Sequence, residues 1–362
     1  MIPFLSVYGH ITIDQIVSVG KFPGINESVD VVSKKTSLGG TGANIAIAAA
    51  RLGVPTALCG FVGPDFPPMY MKEMEDSGLI VDEVVAVPDY ETSQAMVIND
   101  PDLRQKVIFY QGPQGFASSL GRDLLGNAKL SRKVHFCTGE PKWYIHLLEV
   151  LQKEACDVAT DPSQEVYRLW SAENIRRAME LTDALFCNNY EAKVIEERLG
   201  LGSVFDLDEP LIVRTDGANG AKAKVDGEMV DVPVVKGRGA VDATGCGDSF
   251  RAGFYSGLYH GYSAKDSLVL AAAVSSFVIE KVGALTNTPS WEDVEERAKP
   301  YLEGRTCWSP SPARPAPGSH RCPRSCAAAG TRWWTPTSTS ARTACWGSGT
   351  PSATPTKWTW VG

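Results

Sequence analysis

Apolar and polar positions alternate in blocks along the first 300 residues. Short apolar runs at residues 4–8, 56–61, 134–137, 158–160, 184–187 and 211–214 have the length and side chains of buried strands. Between them, residues 43–52, 69–77, 144–154, 171–181 and 191–199 read as amphipathic helices. Strands alternating with helices predict βαβ units, hence an α/β fold with a mostly parallel central sheet flanked by helices on both faces. Two segments break this rhythm. Residues from about 11–35 and 85–111 alternate as half-polar strands, with turn residues such as Asn99-Asp100-Pro101. They predict a small antiparallel β-sheet inserted into the main domain and placed as a lid over a cleft. Beyond Asp242 the pattern is helical again, at residues 248–261 and 264–282. No internal repeat is present.

Composition divides the 362 residues in two. Residues 307–362 contain no Asp, Glu, Ile, Leu, Met, Phe, Tyr, Asn or Gln, yet hold six of the nine tryptophans and eight of the 23 prolines. Such a segment lacks the aliphatic material for a core. Its vocabulary is that of GC-rich DNA read out of frame, so residues 305–362 are expected to be a frameshift product or a disordered tail, and residues 1–304 the functional domain. Resequencing the locus decides between the two. Removing the five Arg and one Lys of residues 307–362 from the balance of 35 basic and 42 acidic residues leaves 29 against 42, a formal charge of −13. That acidity argues against nucleic acid as a partner. The most apolar run, residues 268–279, covers twelve positions and includes two serines, too short to cross a membrane. The N-terminus lacks the pattern of a signal peptide. A cytoplasmic protein is expected. The five body cysteines (Cys59, Cys137, Cys156, Cys187 and Cys246) are scattered, without a CxxC pair, and read as reduced thiols. His320, Cys322 and Cys326 in the tail lack a fourth metal ligand.

The segment from Gly239 to Phe254 carries the most chemistry. Gly245 and Gly247 flank Cys246 just ahead of a helix, where converging backbone amides and the helix dipole favour an anion. Asp248 falls in the first helical turn. A carboxylate there either caps the helix or takes a proton from an attacking hydroxyl. No GxxxxGK[ST] occurs, which excludes a P-loop, and Ile45 stands where a dinucleotide fingerprint begun at Gly40-Thr-Gly42 needs its third glycine.

Four motifs then occur in one order. Asp242-Ala-Thr-Gly-Cys-Gly-Asp248 closely resembles the D-T-x-G-A/C-G-D signature of the PfkB family, the ribokinase-like carbohydrate and nucleoside kinases. Gly39-Gly-Thr-Gly-Ala-Asn44 resembles its double-glycine signature, Asn188-Asn-Tyr-Glu191 its N-x-x-E motif, and Thr215-Asp-Gly-Ala-Asn-Gly220 its T-x-G-x-x-G nucleotide motif. The resemblance covers about residues 3–300 and departs at Ala243, where many members carry Thr or Pro. It implies a ribokinase-like fold and an ATP-dependent phosphotransferase. Asp248 would be the catalytic base, and the amides of Gly245, Cys246 and Gly247 an anion hole for the transferring phosphoryl group. Asn188, Thr215, Gly217 and Gly220 would bind ATP. Glu191 and Asn188 would organise Mg²⁺ through water, and Asp242 would stand beside a monovalent cation such as K⁺. Asp14, Gly40 and Asn44 would hold acceptor hydroxyls, joined by Asp161 and by Asp30, Gln105 and Gln111 from the lid. Arg251 would pair with Asp248 or contact phosphate.

For the acceptor, Gly247–Phe254, Thr138–Pro141 and Gly283–Trp291 look closest to archaeal nucleoside kinases, so the expected acceptor is the 5′-hydroxyl of a ribonucleoside. The alternatives are a sugar kinase acting on ribose, fructose or a keto-deoxy sugar acid, and a non-catalytic sugar or nucleoside sensor. An exposed lid sheet would also permit a homodimer through the lid.

Overall fold

The computed structural model describes residues 1–302, Leu103 excepted; the 305–362 segment lies outside the described residues. Its centre is a nine-stranded sheet. From the middle outwards on one side run β1 (Leu5–Tyr8), β4 (Thr56–Val62) and β5 (Ile80–Ala86). On the other side run β8 (Lys133–Phe136), β9 (Asp157–Thr160), β10 (Ala184–Asn188), β11 (Leu211–Thr215), β12 (Ala221–Val225) and β13 (Glu228–Val232). The seven strands from β5 to β11 are parallel; β12 and β13 add an antiparallel margin.

The alternation along β4 shows how the sheet is covered. Leu58 and Val62 face α1 (Thr41–Arg51), α6 (Cys246–Tyr259) and α7 (Ala264–Val278). Ala57, Cys59 and Phe61 face the core built on α3 (Pro141–Leu151), α4 (Ala172–Leu181) and α5 (Asn189–Leu199). Both faces are buried, so the strand reads as a continuous apolar run. The helix α2 (Pro68–Asp76) links β4 to β5, and α8 (Trp291–Leu302) packs Val294 and Ala298 against α7.

A second sheet of four strands has the order β3 (Val31–Gly39), β2 (Thr12–Val19), β6 (Ser93–Asn99) and β7 (Gln105–Tyr110). It is the expected lid, with two corrections. Its β2 and β6 run parallel, so the sheet is mixed rather than antiparallel. Its second segment begins at Ser93, because residues 80–86 form β5 of the main sheet. The 264–282 helix also stops early, at Val278, and residues 283–290 turn back towards the 239–245 loop.

Candidate active site

Chain order reverses between β1 and β8: one branch continues through β4 and β5, the other through β9, β10 and β11. In open α/β sheets this reversal leaves a crevice at the carboxyl ends of the strands, the usual place for a ligand. The motif residues sit there. Gly9 and His10 follow β1, Thr138 and Gly139 follow β8, Asp161 follows β9, Asn188 ends β10 and Thr215 ends β11. Register puts Asn188 and Thr215 side by side on adjacent strands.

The double-glycine motif brings α1 into this crevice. Gly40 has φ +96°, and a Cβ there would meet the His10 carbonyl oxygen at 2.3 Å. Only glycine fits that approach. The turn aims Asn44, one turn into α1, at the N-terminus of α6, where its Nδ2 donates to Asp248 Oδ2 at 2.8 Å. Asp14, on the lid strand β2, accepts from the Thr12 hydroxyl at 2.5 Å. Burial raises its pKa, and its charge reaches Asp248.

The start of α6 is built for an anion. Gly245 adopts φ +76°, and no side chain caps the helix. A Cβ on Gly245 would strike Ala284 at 2.3 Å. The Cys246 amide donates to the Ala243 carbonyl at 3.1 Å and closes the turn. The amides of Gly245, Gly247 and Asp248 have no protein acceptor among the described residues, so they are the donors this turn offers. Asp248 itself is no N-cap: its carboxylate takes Asn44. Burial pushes its pKa up to about 6, against the pull of Asn44 and of the Arg251 charge. Burial and the nearby Asp242 and Asp248 hold the Cys246 thiol at about 11, protonated. The other four body cysteines are buried free thiols, as expected.

Asp242 ties this turn to the loop after α7. Its Oδ1 accepts from the Thr244 amide and hydroxyl, and its Oδ2 from the Gly283 amide at 2.8 Å. Both oxygens are occupied, so the carboxylate orders two loops, and ligands for a cation beside it would be backbone carbonyls. A cavity of about 510 Å³ adjoins this loop, lined by Arg238, Val241, Phe277 and Asn287 among others. A larger one, about 570 Å³ at the far end of α1, contains none of the motif residues.

Asn188 and Glu191 form a capping box at the start of α5. Asn188 Oδ1 accepts from the Tyr190 and Glu191 amides, and Glu191 Oε2 accepts from the Asn188 amide at 2.7 Å. Glu191 is only 4% exposed, and burial with the nearby Asp161 charge raises its pKa to about 7. No group of three or more His, Cys, Asp or Glu side chains that could hold a metal occurs among the described residues. In the Thr215 motif, Gly217 and Gly220 have φ +52° and +84° and bound a tight turn between β11 and β12.

Asp161 and Arg251 depart from expectation. Arg251 contacts neither Asp248 nor open solvent; its Nε donates to Asp161 Oδ2 at 2.6 Å and its Nη1 to the Gly247 carbonyl at 3.1 Å. Asp161 is thus spoken for by Arg251, by the Ser163 amide at 3.2 Å, and by His135 at 3.5 Å. Nothing in the sequence pattern pointed to this pair or to His135. In the lid, Gln111 Nε2 donates to Glu165 Oε1 at 3.1 Å, beside the buried His10, a cluster that the motifs also left unmarked. Asp30 is exposed ahead of β3 and makes no hydrogen bond among the described residues. Gln105 opens β7, paired with Asn99.

Residues 3–291 match the family model for the pfkB family carbohydrate kinases. The chain belongs to that family. It is a kinase, with the ribokinase-like fold and with the four motifs gathered at one crevice. A nucleoside kinase of Methanothermobacter thermautotrophicus is 30% identical over 296 residues, covering 81% of this chain and 94% of the relative. The crystal structure of Methanocaldococcus jannaschii nucleoside kinase superposes with a TM-score of 0.75 at 28% identity, over 82% of this kinase and 98% of that chain. A Burkholderia thailandensis nucleoside kinase in complex with inosine gives 0.74 at 26% identity, over 83% and 97%. Among the described residues no helix is long and apolar enough to cross a membrane.

Proposed function

We propose that this kinase transfers the γ-phosphoryl group of ATP to the 5′-hydroxyl of a ribonucleoside. The observation that carries the reading is the Asn44–Asp248 contact at the uncapped N-terminus of α6, with the charge of Asp14 on the lid strand β2 within reach of Asp248. An acceptor hydroxyl held between Asp14 and Asn44 gives its proton to Asp248 as its oxygen bonds to the γ-phosphorus. The bond from that phosphorus to the bridging oxygen breaks, and ADP leaves. The amides at the start of α6 balance the charge on the transferring group. Asn188, Thr215, Gly217 and Gly220 line the ATP side of the same crevice. The similarity to nucleoside kinases, one of them solved with inosine, supports a nucleoside acceptor.

Mg²⁺ fits this site in one manner. Glu191 and Asn188 are engaged with backbone amides, so they suit a hydrated ion that arrives with the phosphates rather than a protein cage. The ion would neutralise phosphate charge. K⁺ beside the Asp242 bridge would be held by backbone carbonyls, since both Asp242 oxygens accept from Thr244 and Gly283, and turnover that is the same in Na⁺- and K⁺-free buffer excludes it. The lid's two edge strands expose apolar residues, Val31 and Val32 on β3 and Val107 and Ile108 on β7, and either open edge suits a homodimer through the lid, which sedimentation tests.

The deciding experiment is ADP release from the full chain with Mg-ATP and parallel panels of nucleosides and sugars. Turnover on inosine, guanosine, cytidine or adenosine that Asp248→Asn abolishes is expected. Turnover on sugars alone keeps the mechanism and overturns the acceptor. Silence on both panels from folded protein puts the non-catalytic sensor reading first.

A further inference from the structure

Beneath the start of α6 lies a buried ion pair that the mechanism above does not use. Asp161 is 1% exposed and Arg251 5%. Burial works against both charges, yet each holds the other ionised: Arg251 and His135 keep Asp161 below the usual carboxylate range, and Asp161 keeps Arg251 protonated. Placing such a pair in the interior costs desolvation that its attraction barely repays, so a buried pair is weak evidence for stability. Its geometry says more. One guanidinium edge is fixed by Asp161, on the loop after β9, and the Phe186 ring lies 6.0 Å from the guanidinium carbon. Another edge donates to the Gly247 carbonyl. A peptide unit is planar and its C=O and N–H point in opposite directions. The Gly247 carbonyl already stands in the ladder of α6, and the guanidinium adds a second restraint on it. That restraint extends to the direction of the Asp248 amide, one of the donors at the helix N-terminus without a protein acceptor among the described residues, and to the backbone from which the Asp248 carboxylate extends.

We propose that Arg251, anchored by Asp161, is a positioning residue for phosphoryl transfer: it locks the Gly247–Asp248 peptide so that the amide and the carboxylate of Asp248 face the reacting groups together. Asp161 then acts through Arg251 and not on the acceptor. The inference rests on reading the start of α6 as the anion-receiving turn.

Arg251→Lys tests it, because an ammonium keeps the charge but cannot span both partners as the planar fork does. Asp161→Asn is the second variant, removing the anchor's charge while keeping its shape. Each is assayed in the full chain with Mg-ATP and the best acceptor from the panels, alongside thermal melts and Asp248→Asn. In Arg251→Lys, kcat is expected to fall about 10- to 100-fold, the scale of a misplaced reacting group. KM for ATP and acceptor stays within about threefold, and Asp161→Asn shows the same split. The double variant is no worse than the poorer single one, since the two act as a unit. If kcat of both folded variants is within twofold of wild type while Asp248→Asn is dead, the proposal falls alone. A rise in acceptor KM confined to Asp161→Asn also overturns it, by placing Asp161 on the substrate. If neither variant folds, the pair is a folding element and the proposal falls. If Asp248→Asn retains turnover, the underlying reading falls and takes the proposal with it.

Discussion

Replacing Asn44 by leucine tests the coupling between α1 and the proposed base. In the wild type, Asp248 must be ionised to accept a proton, so kcat/KM should rise about tenfold per pH unit below the carboxyl's pKa and level off above it. Burial places that pKa at about 6. The groups whose fields reach Asp248 include Arg251 on its own helix, Asp161 after β9, Asp14 on β2 and Glu191 on α5; Asn44 from α1 is its hydrogen-bond donor. That bond favours the charged form, so losing it must raise the pKa further. A hydrogen bond to a charged group contributes about 1.5–3 kcal/mol, which at about 1.4 kcal/mol per unit is a shift of about one to two units. The acidic limb of Asn44→Leu should therefore stand at about 7–8. At pH 7 the ionised fraction drops from about nine-tenths to about a quarter for the middle of that range, a fourfold loss recovered by about pH 9. Any loss of acceptor binding lowers the whole curve without moving its limb. Glu191 makes no hydrogen bond to Asn44 among the described residues, so the substitution reaches it only through the field of Asp248. The assay is kcat/KM for ADP release from pH 5 to 9, with Asp248→Asn as the flat baseline. An Asn44→Leu profile that is lower but parallel to wild type refutes the coupling, and a wild-type profile flat down to pH 5 refutes Asp248 as the base.

Three further outcomes are expected. Glu191 holds a proton in the folded state up to about pH 7, whereas its ordinary value is 4.5, so stability falls as pH rises through that window. Glu191→Gln should be more stable than wild type at pH 8 by up to about 3 kcal/mol and equal to it near pH 4, as read by urea melts. Gly40→Ala places a Cβ 2.3 Å from the His10 carbonyl at φ +96°, and should lose about 2–4 kcal/mol in thermal or urea melts. Any surviving folded fraction should have lost kcat/KM, since Asn44 hangs from that turn. A chain cut after Gly304 should melt with the full chain and keep its turnover, because the removed segment carries almost no core-forming residues. A cut chain that no longer melts cooperatively makes the tail part of the fold.

What the sequence disclosed and what it withheld follow from the range of the interactions. The main strands were legible because both faces of the sheet are covered, so their residues form unbroken apolar runs such as that of β4. The margin strands β12 and β13 escaped notice because only alternate positions are buried, as in Ala221, Ala223 and Val225, with Lys222 and Lys224 between them. β5 was merged with the lid for a similar reason: its residues are half-buried or exposed, with a pattern close to that of β6. At the site, each motif was visible where its logic is local. The glycines answer to their own φ angles, and Asn188 with Glu191 closes a box three residues wide. The contacts that join motifs are not local. Asn44 and Asp248 lie 204 residues apart, and Asp161 and Arg251 lie 90 apart. An arginine one turn beyond Asp248 therefore reads, from spacing alone, as its partner or as a phosphate contact. In the fold, the next strand end supplies a carboxylate at 2.6 Å, and the arginine turns away from Asp248 to meet it. Among the described residues, that turn leaves Asp248 with a single neutral donor, Asn44, instead of a salt bridge. A salt bridge to Arg251 would hold the carboxyl well below its ordinary range and make it a poor proton acceptor. The Asp161–Arg251 pair, which spacing did not disclose, is thus the one whose geometry allows Asp248 to titrate near the pH at which a base is useful.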